Sequence, residues 1–73
     1  MNLAFIKPQP IDHILEIDGT RMRIFGNIDL ERLVVTASVA LDNGEPADSL
    51  MDARIKRELN LLGYRDCSIT LQY

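Results

Sequence analysis

Hydrophobic and polar side chains alternate in matching phase on both sides of Asp18-Gly19. Asp-Gly between two alternating runs is a strong indication of a two-residue hairpin turn, because a type I′ turn needs positive φ at both central positions. Such a turn sets Ile17 opposite Thr20. The pattern therefore predicts a β-hairpin over about residues 11–25, which we expect Gly26-Asn27 to end.

The predicted register divides the side chains of the hairpin between two faces. The first face is mostly apolar and is expected to join the core: Ile11, His13, Leu15, Ile17, Met22 and Ile24. The second face is mixed: Asp12, Ile14, Glu16, Arg21, Arg23 and Phe25. Glu16 and Arg21 form an opposite-charge cross-strand pair in this register.

Residues 28–41 fit two patterns. A helical stripe would contain Leu30, Leu33, Val34, Ala37 and Leu41, whereas strand alternation would group Leu33, Val35, Ala37, Val39 and Leu41. Val35 and Val39 fit only the strand pattern. The segment is rich in β-branched residues, which lose rotamer freedom in a helix. We therefore predict a strand that is entered through a turn around residues 28–31.

A helix is predicted from about Pro46 to Leu62, after a turn at Asp42-Asn43-Gly44. Proline is favoured at the first helical position, where its missing N–H needs no partner. The expected apolar stripe is Ala47, Met51, Ile55, Leu59 and Leu62, widened by Leu50. Gly63 is expected to end the helix in a left-handed conformation, with Tyr64 packing back on Leu59.

The last segment alternates cleanly and predicts a half-buried strand in which Cys67 and Ile69 face the helix. The element order is β-β-β-α-β. The simplest architecture is a small two-layer α+β domain. In it an antiparallel three-stranded meander is covered on one face by the helix, and a right-handed crossover leads to the C-terminal strand. Residues 1–10 are expected to be an N-terminal arm or short edge strand, and residues 11–73 a single domain.

Composition is that of a globular domain, since 47% of the 73 residues are hydrophobic and 26% are charged. The net charge of -3 argues against a general attraction to nucleic acid or anionic membranes. Residues 3–6 form the only apolar run near the N-terminus, which is too short for a signal peptide or a membrane span. We expect a cytoplasmic protein.

Candidate chemistry is sparse. His13 is interpreted as a histidine at the margin of the core, and Cys67 as a buried structural thiol, which as the only cysteine excludes an intramolecular disulfide. Asp48 and Asp52 are neighbours near a helix N-terminus, where carboxylates complement the dipole. The sequence therefore predicts no enzyme, no catalytic or metal-binding residues and no cofactor.

Apolar residues on the second face suggest an interaction site formed by Ile14, Phe25 and Val34, with Ala40 nearby. The leading hypothesis is a non-catalytic interaction or adaptor module that forms a homodimer or binds another protein. An unpaired edge strand would offer a second docking mode by strand addition.

The alternative function is weak binding of RNA or single-stranded DNA by Arg21, Arg23 and Phe25, which combine positive charge with an aromatic ring. Acidic residues on the same face of the hairpin make nucleic acid the less favoured partner. In its short length, acidic charge and lack of a catalytic motif, the chain resembles small accessory proteins of bacterial and prophage genomes, although no motif carries that resemblance.

Overall fold

Four strands and one helix form the fold in the computed structural model, which describes residues 8–45 and 47–73. The strands are β1 (Gln9–Ile17), β2 (Thr20–Asp29), β3 (Val34–Leu41) and β4 (Ser68–Gln72), and the helix α1 (Asp52–Leu59) lies between β3 and β4 in the chain. The sheet order is β1-β2-β3-β4; the first three strands form an antiparallel meander, and β4 pairs with β3 in parallel. The α+β class and the predicted element order are confirmed.

The Asp18-Gly19 turn has the predicted conformation, with φ of 52° at Asp18 and 80° at Gly19. Ile17 lies opposite Thr20, and the predicted register holds along the hairpin. The strands extend further than expected, because β1 begins at Gln9 and includes Pro10. The last two residues of the expected N-terminal arm therefore belong to the hairpin, while residues 1–7 lie outside the described part of the chain.

Gly26-Asn27 does not end the hairpin, which corrects the expectation from sequence, because β2 continues to Asp29. Gly26 lies in the middle of the sheet, opposite Ala37 of β3. A Cβ atom at this position would lie 2.1 Å from the carbonyl oxygen of Thr36 and 2.6 Å from the Cα of Ala37. Glycine is needed here because the two backbones approach too closely for any side chain, not because the chain turns.

The predicted strand in residues 28–41 is confirmed, although the turn that leads into it lies at residues 30–33. The Asp29 carboxylate accepts hydrogen bonds from the backbone N–H groups of Glu31 and Arg32, at 3.0 and 3.1 Å. These bonds form an Asx-type turn, which stabilises the reversal of the chain between β2 and β3. Ile28 and Asp29 therefore extend β2 instead of opening the turn.

The helix is shorter than predicted. A single 3₁₀ turn (Ser49–Met51) precedes α1, and Asp48 caps it with its carboxylate, which accepts from Leu50 N–H at 2.9 Å. Pro46, the predicted first residue, lies outside the described part of the chain. After Leu59 the chain passes through a turn (Asn60–Tyr64) with a kink at Gly63, which has the expected positive φ, 121°.

These irregular ends change the apolar stripe of the helix. Ala47, Ile55 and Leu59 are buried as predicted, but Leu50 is 85% exposed and Leu62 is 51% exposed. The helical backbone is interrupted at Gly63, directly after Leu62, and the Leu62 side chain is left half exposed at this end. The fully buried side chains are Met22, Ile24, Val35, Ile55 and Leu59, which places the centre of the core under α1.

We expect Gly26→Ala to lower the free energy of unfolding by about 1–3 kcal/mol, because β2 and β3 must separate to admit the methyl group. Urea unfolding followed by circular dichroism measures this loss. Gly19→Asn is the matched control, since its Cβ has open space and Asn tolerates positive φ. Equal losses in the two variants would contradict the close-approach explanation.

Candidate functional site

One face of the sheet is left uncovered by α1, and we call it the outer face. The pairing register assigns to it Pro10, Asp12, Ile14 and Glu16 of β1, Arg21, Arg23, Phe25, Asn27 and Asp29 of β2, Val34, Thr36, Ser38 and Ala40 of β3, and Ser68, Thr70 and Gln72 of β4. Its β1 and β2 side carries charged residues, whereas its β3 and β4 side is neutral and rich in hydroxyl groups.

The three predicted interface residues do not form one patch. Ile14 is 61% exposed and Phe25 is 37% exposed, and the register makes them diagonal neighbours on the hairpin. Val34 lies at the far end of β3, and the pair formed by Asn27 and Thr36 separates it from Phe25. The expected contiguous patch is therefore corrected to an isolated pair and a distant third residue.

Arg23 is engaged within the hairpin. Its Nε and Nη2 donate to the two carboxylate oxygens of Asp12 at 2.9 and 2.7 Å, and its guanidinium carbon lies 4.9 Å from the centre of the Phe25 ring. The hydrogen bond from Arg23 lowers the pKa of the Asp12 carboxyl. Of the three residues predicted to bind nucleic acid, Arg23 and Phe25 are thus in contact with each other. A stacked base and a phosphate would have to displace this arrangement.

His13 lies at the margin of the core, as predicted, and has a specific partner. Its Nε2 and the hydroxyl of Tyr64 are joined by a hydrogen bond of 2.6 Å, and the two rings meet edge to face with centroids 5.5 Å apart. Both residues are half-buried. The contact fastens the segment after α1 to β1, which indicates a structural role for this histidine.

The remaining candidates for chemistry are Cys67, the carboxylates and a groove beside α1. Cys67 is half-buried, where a buried thiol was expected. Among residues 8–45 and 47–73, no group of three or more His, Cys, Asp or Glu side chains could hold a metal ion. A groove of about 320 Å³ between β1 and α1 is lined by charges of both signs, and Arg54 forms an ion pair with Asp18 across it. Such mixed charges do not favour an anionic or a cationic ligand.

Asp52 joins the start of α1 to the end of β4. The hydroxyl of Tyr73 and the Nζ of Lys56 both donate to its carboxylate, the latter at 2.9 Å. The bond from Tyr73, and after it the bond from Lys56, lowers the pKa of the Asp52 carboxyl. Partial burial and the same bond raise the pKa of Tyr73. This contact fixes where β4 lies relative to the helix.

Within the described residues β1 has a free edge, and this edge is shielded. In a hairpin with a two-residue turn the hydrogen-bonded pairs alternate outward from Ile17 and Thr20, so the backbone groups of Asp12, Ile14 and Glu16 point away from β2. Pro10 has the same phase and lacks an N–H to present at this edge. Proline and charged side chains are the usual means of preventing an edge strand from pairing with another chain.

The free edge of β4 has no such shield. Ser68 N–H donates to the carbonyl of Leu33 at 2.8 Å, so Ser68, Thr70 and Gln72 direct their backbone groups toward β3. The backbone groups of Ile69 and Leu71 therefore point outward, and within the described residues no strand pairs with them. Residues 68–73 contain no charged residue, no proline and no glycine.

The side chains beside this edge are only partly covered. Ile69 and Leu71 lie on the face toward the helix and are half-buried, while Tyr73 is 38% exposed. An added strand would cover these side chains and satisfy the outward backbone groups at the same time. The β4 edge therefore combines unpaired peptide groups with uncovered apolar surface.

Sequence reasoning found β4 but not its position at the edge of the sheet. The neutral composition of residues 68–73 is the available indication, but it does not identify an edge without the pairing, in which β3 is the single strand paired with β4 in the described part of the chain. The same alternation would suit a central strand. Pairing partners that are distant in sequence decide between the two positions.

Comparison of the chain with protein-family models, with curated proteins and with solved structures finds no match. Within residues 8–45 and 47–73, no helix has the length and apolar character needed to cross a membrane. Function is therefore inferred from the surfaces of the domain itself.

We expect the free energy of unfolding to fall as the pH is lowered below about 4, the usual range of carboxyl groups, and to fall less in Asp52→Asn. A carboxyl whose pKa is lower in the folded state stabilises the fold above its unfolded pKa, and this contribution is lost as the pH falls through the folded pKa. Urea unfolding between pH 2 and 7, at roughly unit intervals, measures the effect. The exposed Asp66→Asn variant is the control, and an unchanged pH profile in Asp52→Asn would contradict the assignment.

Proposed function

We propose that the protein is a non-catalytic protein-interaction module that self-associates as a homodimer through the free edge of β4. The observation that carries the proposal is the difference between the two edges of the sheet. Pro10, Asp12 and Glu16 shield β1, whereas the outward peptide groups of Ile69 and Leu71 lie in a neutral strand.

Strand addition suits such an edge. Main-chain hydrogen bonds supply binding energy, and side chains that alternate along the strand supply specificity. Ile69 and Leu71 are half-buried and would be covered further by a neighbouring strand. Apolar surface buried in a dimer would also stabilise a domain of this length, since a chain of 73 residues buries only about 60% of its unfolded surface.

A second copy of the chain is the partner that the edge fits best. A two-fold symmetric interface uses the same surface on both subunits, so the surface must be complementary to itself. The β4 edge satisfies this condition because it carries no charge that would face a like charge. Its backbone donors and acceptors can pair with the same groups of another copy.

The outer face is the less favoured docking surface. The largest apolar residues of this face, Ile14 and Phe25, lie next to the ion pair of Arg23 and Asp12, which a partner would have to cover or break. The same ion pair argues against the nucleic-acid alternative, because it neutralises the guanidinium that would contact phosphate. The net charge of -3 argues in the same direction.

We expect light scattering at micromolar concentration to give twice the chain mass of 8.3 kDa, and Thr70→Lys to give the single-chain mass. Thr70 is exposed at the middle of β4, and a charge on an edge strand opposes pairing with another chain. Thr36→Lys is the matched control, since it places the same charge on the exposed neighbour of Thr70 in β3. Both variants should keep the far-UV circular dichroism of the unchanged chain.

Three results would overturn the proposal. A single-chain mass for the unchanged protein at concentrations up to about 1 mM, where even weak complexes form, would exclude self-association. A dimer that survives Thr70→Lys but is lost in the double variant Ile14→Asp, Phe25→Asp would move the interface to the outer face. Loss of the dimer in Thr36→Lys as strongly as in Thr70→Lys would also contradict an edge interface.

A further inference from the structure

We infer that the two copies pair their β4 strands antiparallel about a two-fold axis at Thr70, so that Ile69 of each copy lies opposite Leu71 of the other. This inference rests on the proposed function and specifies its interface. A two-fold axis perpendicular to the sheet makes the joined strands antiparallel. It also keeps both helices on one side of a continuous sheet and both outer faces on the other.

Strand length favours this axis. β4 spans Ser68–Gln72, and Thr70 is its middle residue. Only an axis at Thr70 places every residue of one β4 opposite a residue of the other. An axis at Ile69 or at Leu71 would shift the two strands by two residues and leave residues unpaired at both ends.

The backbone favours the same axis. The residues that direct their N–H and C=O groups outward are Ile69 and Leu71, on either side of Thr70. With the axis at Thr70, Ile69 of each copy lies opposite Leu71 of the other copy. These two residues then exchange both of their backbone hydrogen bonds, as hydrogen-bonded antiparallel pairs do. With the axis at Ile69, Leu71 would face Cys67, whose N–H already donates to the carbonyl of Tyr64 at 3.0 Å.

The side chains agree with the backbone. On the helix side the register pairs Ile69 with Leu71 of the second copy, which covers two apolar side chains that are half-buried in the single chain. On the outer face it pairs Thr70 with Thr70 and Ser68 with Gln72, all neutral and able to form hydrogen bonds. No charged side chain enters the interface from residues 68–72.

Disulfide formation tests this register. In the Cys67→Ser background, Thr70→Cys should form an intermolecular disulfide under mild oxidation, because non-hydrogen-bonded antiparallel pairs have Cα atoms about 4.5 Å apart, within disulfide range. Thr36→Cys in the same background is the control and should stay uncoupled. An equimolar mixture of Ser68→Cys and Gln72→Cys should couple, while neither variant couples alone.

A charge-reversal mixture provides a second test that needs no cysteine. Thr70→Lys and Thr70→Glu should each give the single-chain mass, and their equimolar mixture should regain twice that mass, because the opposite charges face each other across the axis. Thr36→Lys mixed with Thr36→Glu should behave as the unchanged chain.

The outcomes separate the register from the interface. Coupling of Ser68→Cys with Thr70→Cys in a mixture, without coupling of Thr70→Cys alone, would overturn the axis at Thr70 and keep the β4 edge. A dimer in which none of the β4 cysteines couples would overturn both the register and the β4 interface. A single-chain mass for the unchanged protein would overturn the proposed function itself.

Discussion

The rest of the sheet depends on the left-handed backbone of Asp18 and Gly19. Positive φ at both positions closes a type I′ turn, and that turn sets the register of β1 against β2. The register in turn decides which side chains enter the core and which backbone groups point to the free edge of β1. Because side chains alternate, a slip of one residue would move Met22 and Ile24 to the solvent and Arg23 into the core.

The two edges of this sheet are formed by strands that join it differently: β1 through a local hairpin, and β4 after a helical crossover. β1 lies at the start of a local meander, and its edge is protected by Pro10 and two carboxylates. β4 arrives after α1 and joins β3 in parallel, held at its far end by the bond from Tyr73 to Asp52. Contacts between residues that are distant in sequence therefore determine where this neutral edge lies. The difference between the shielded edge of β1 and the neutral edge of β4 supports a dedicated role of β4 in association.

Local chemistry made much of the fold predictable. The Asp-Gly turn and the alternation of β-branched residues identified the hairpin, β3 and β4. The need for glycine at position 26 was missed because a close approach of two backbones has no local signature. The exposure of Leu62 and the isolation of Val34 from Phe25 were also missed. Leu62 directly precedes the kink at Gly63, and the position of Val34 follows from the register of β2 against β3.

Hydrogen exchange of the edge amides at increasing protein concentration tests the role of β4 most directly. If β4 is the interface, the amides of Ile69 and Leu71 exchange more slowly as the concentration rises, because they become hydrogen-bonded to a second copy. The amides of Ile14 and Glu16, on the shielded edge, should exchange rapidly at every concentration. Slowing at Ile14 and Glu16 instead, or no dependence on concentration at Ile69 and Leu71, would contradict association through the β4 edge.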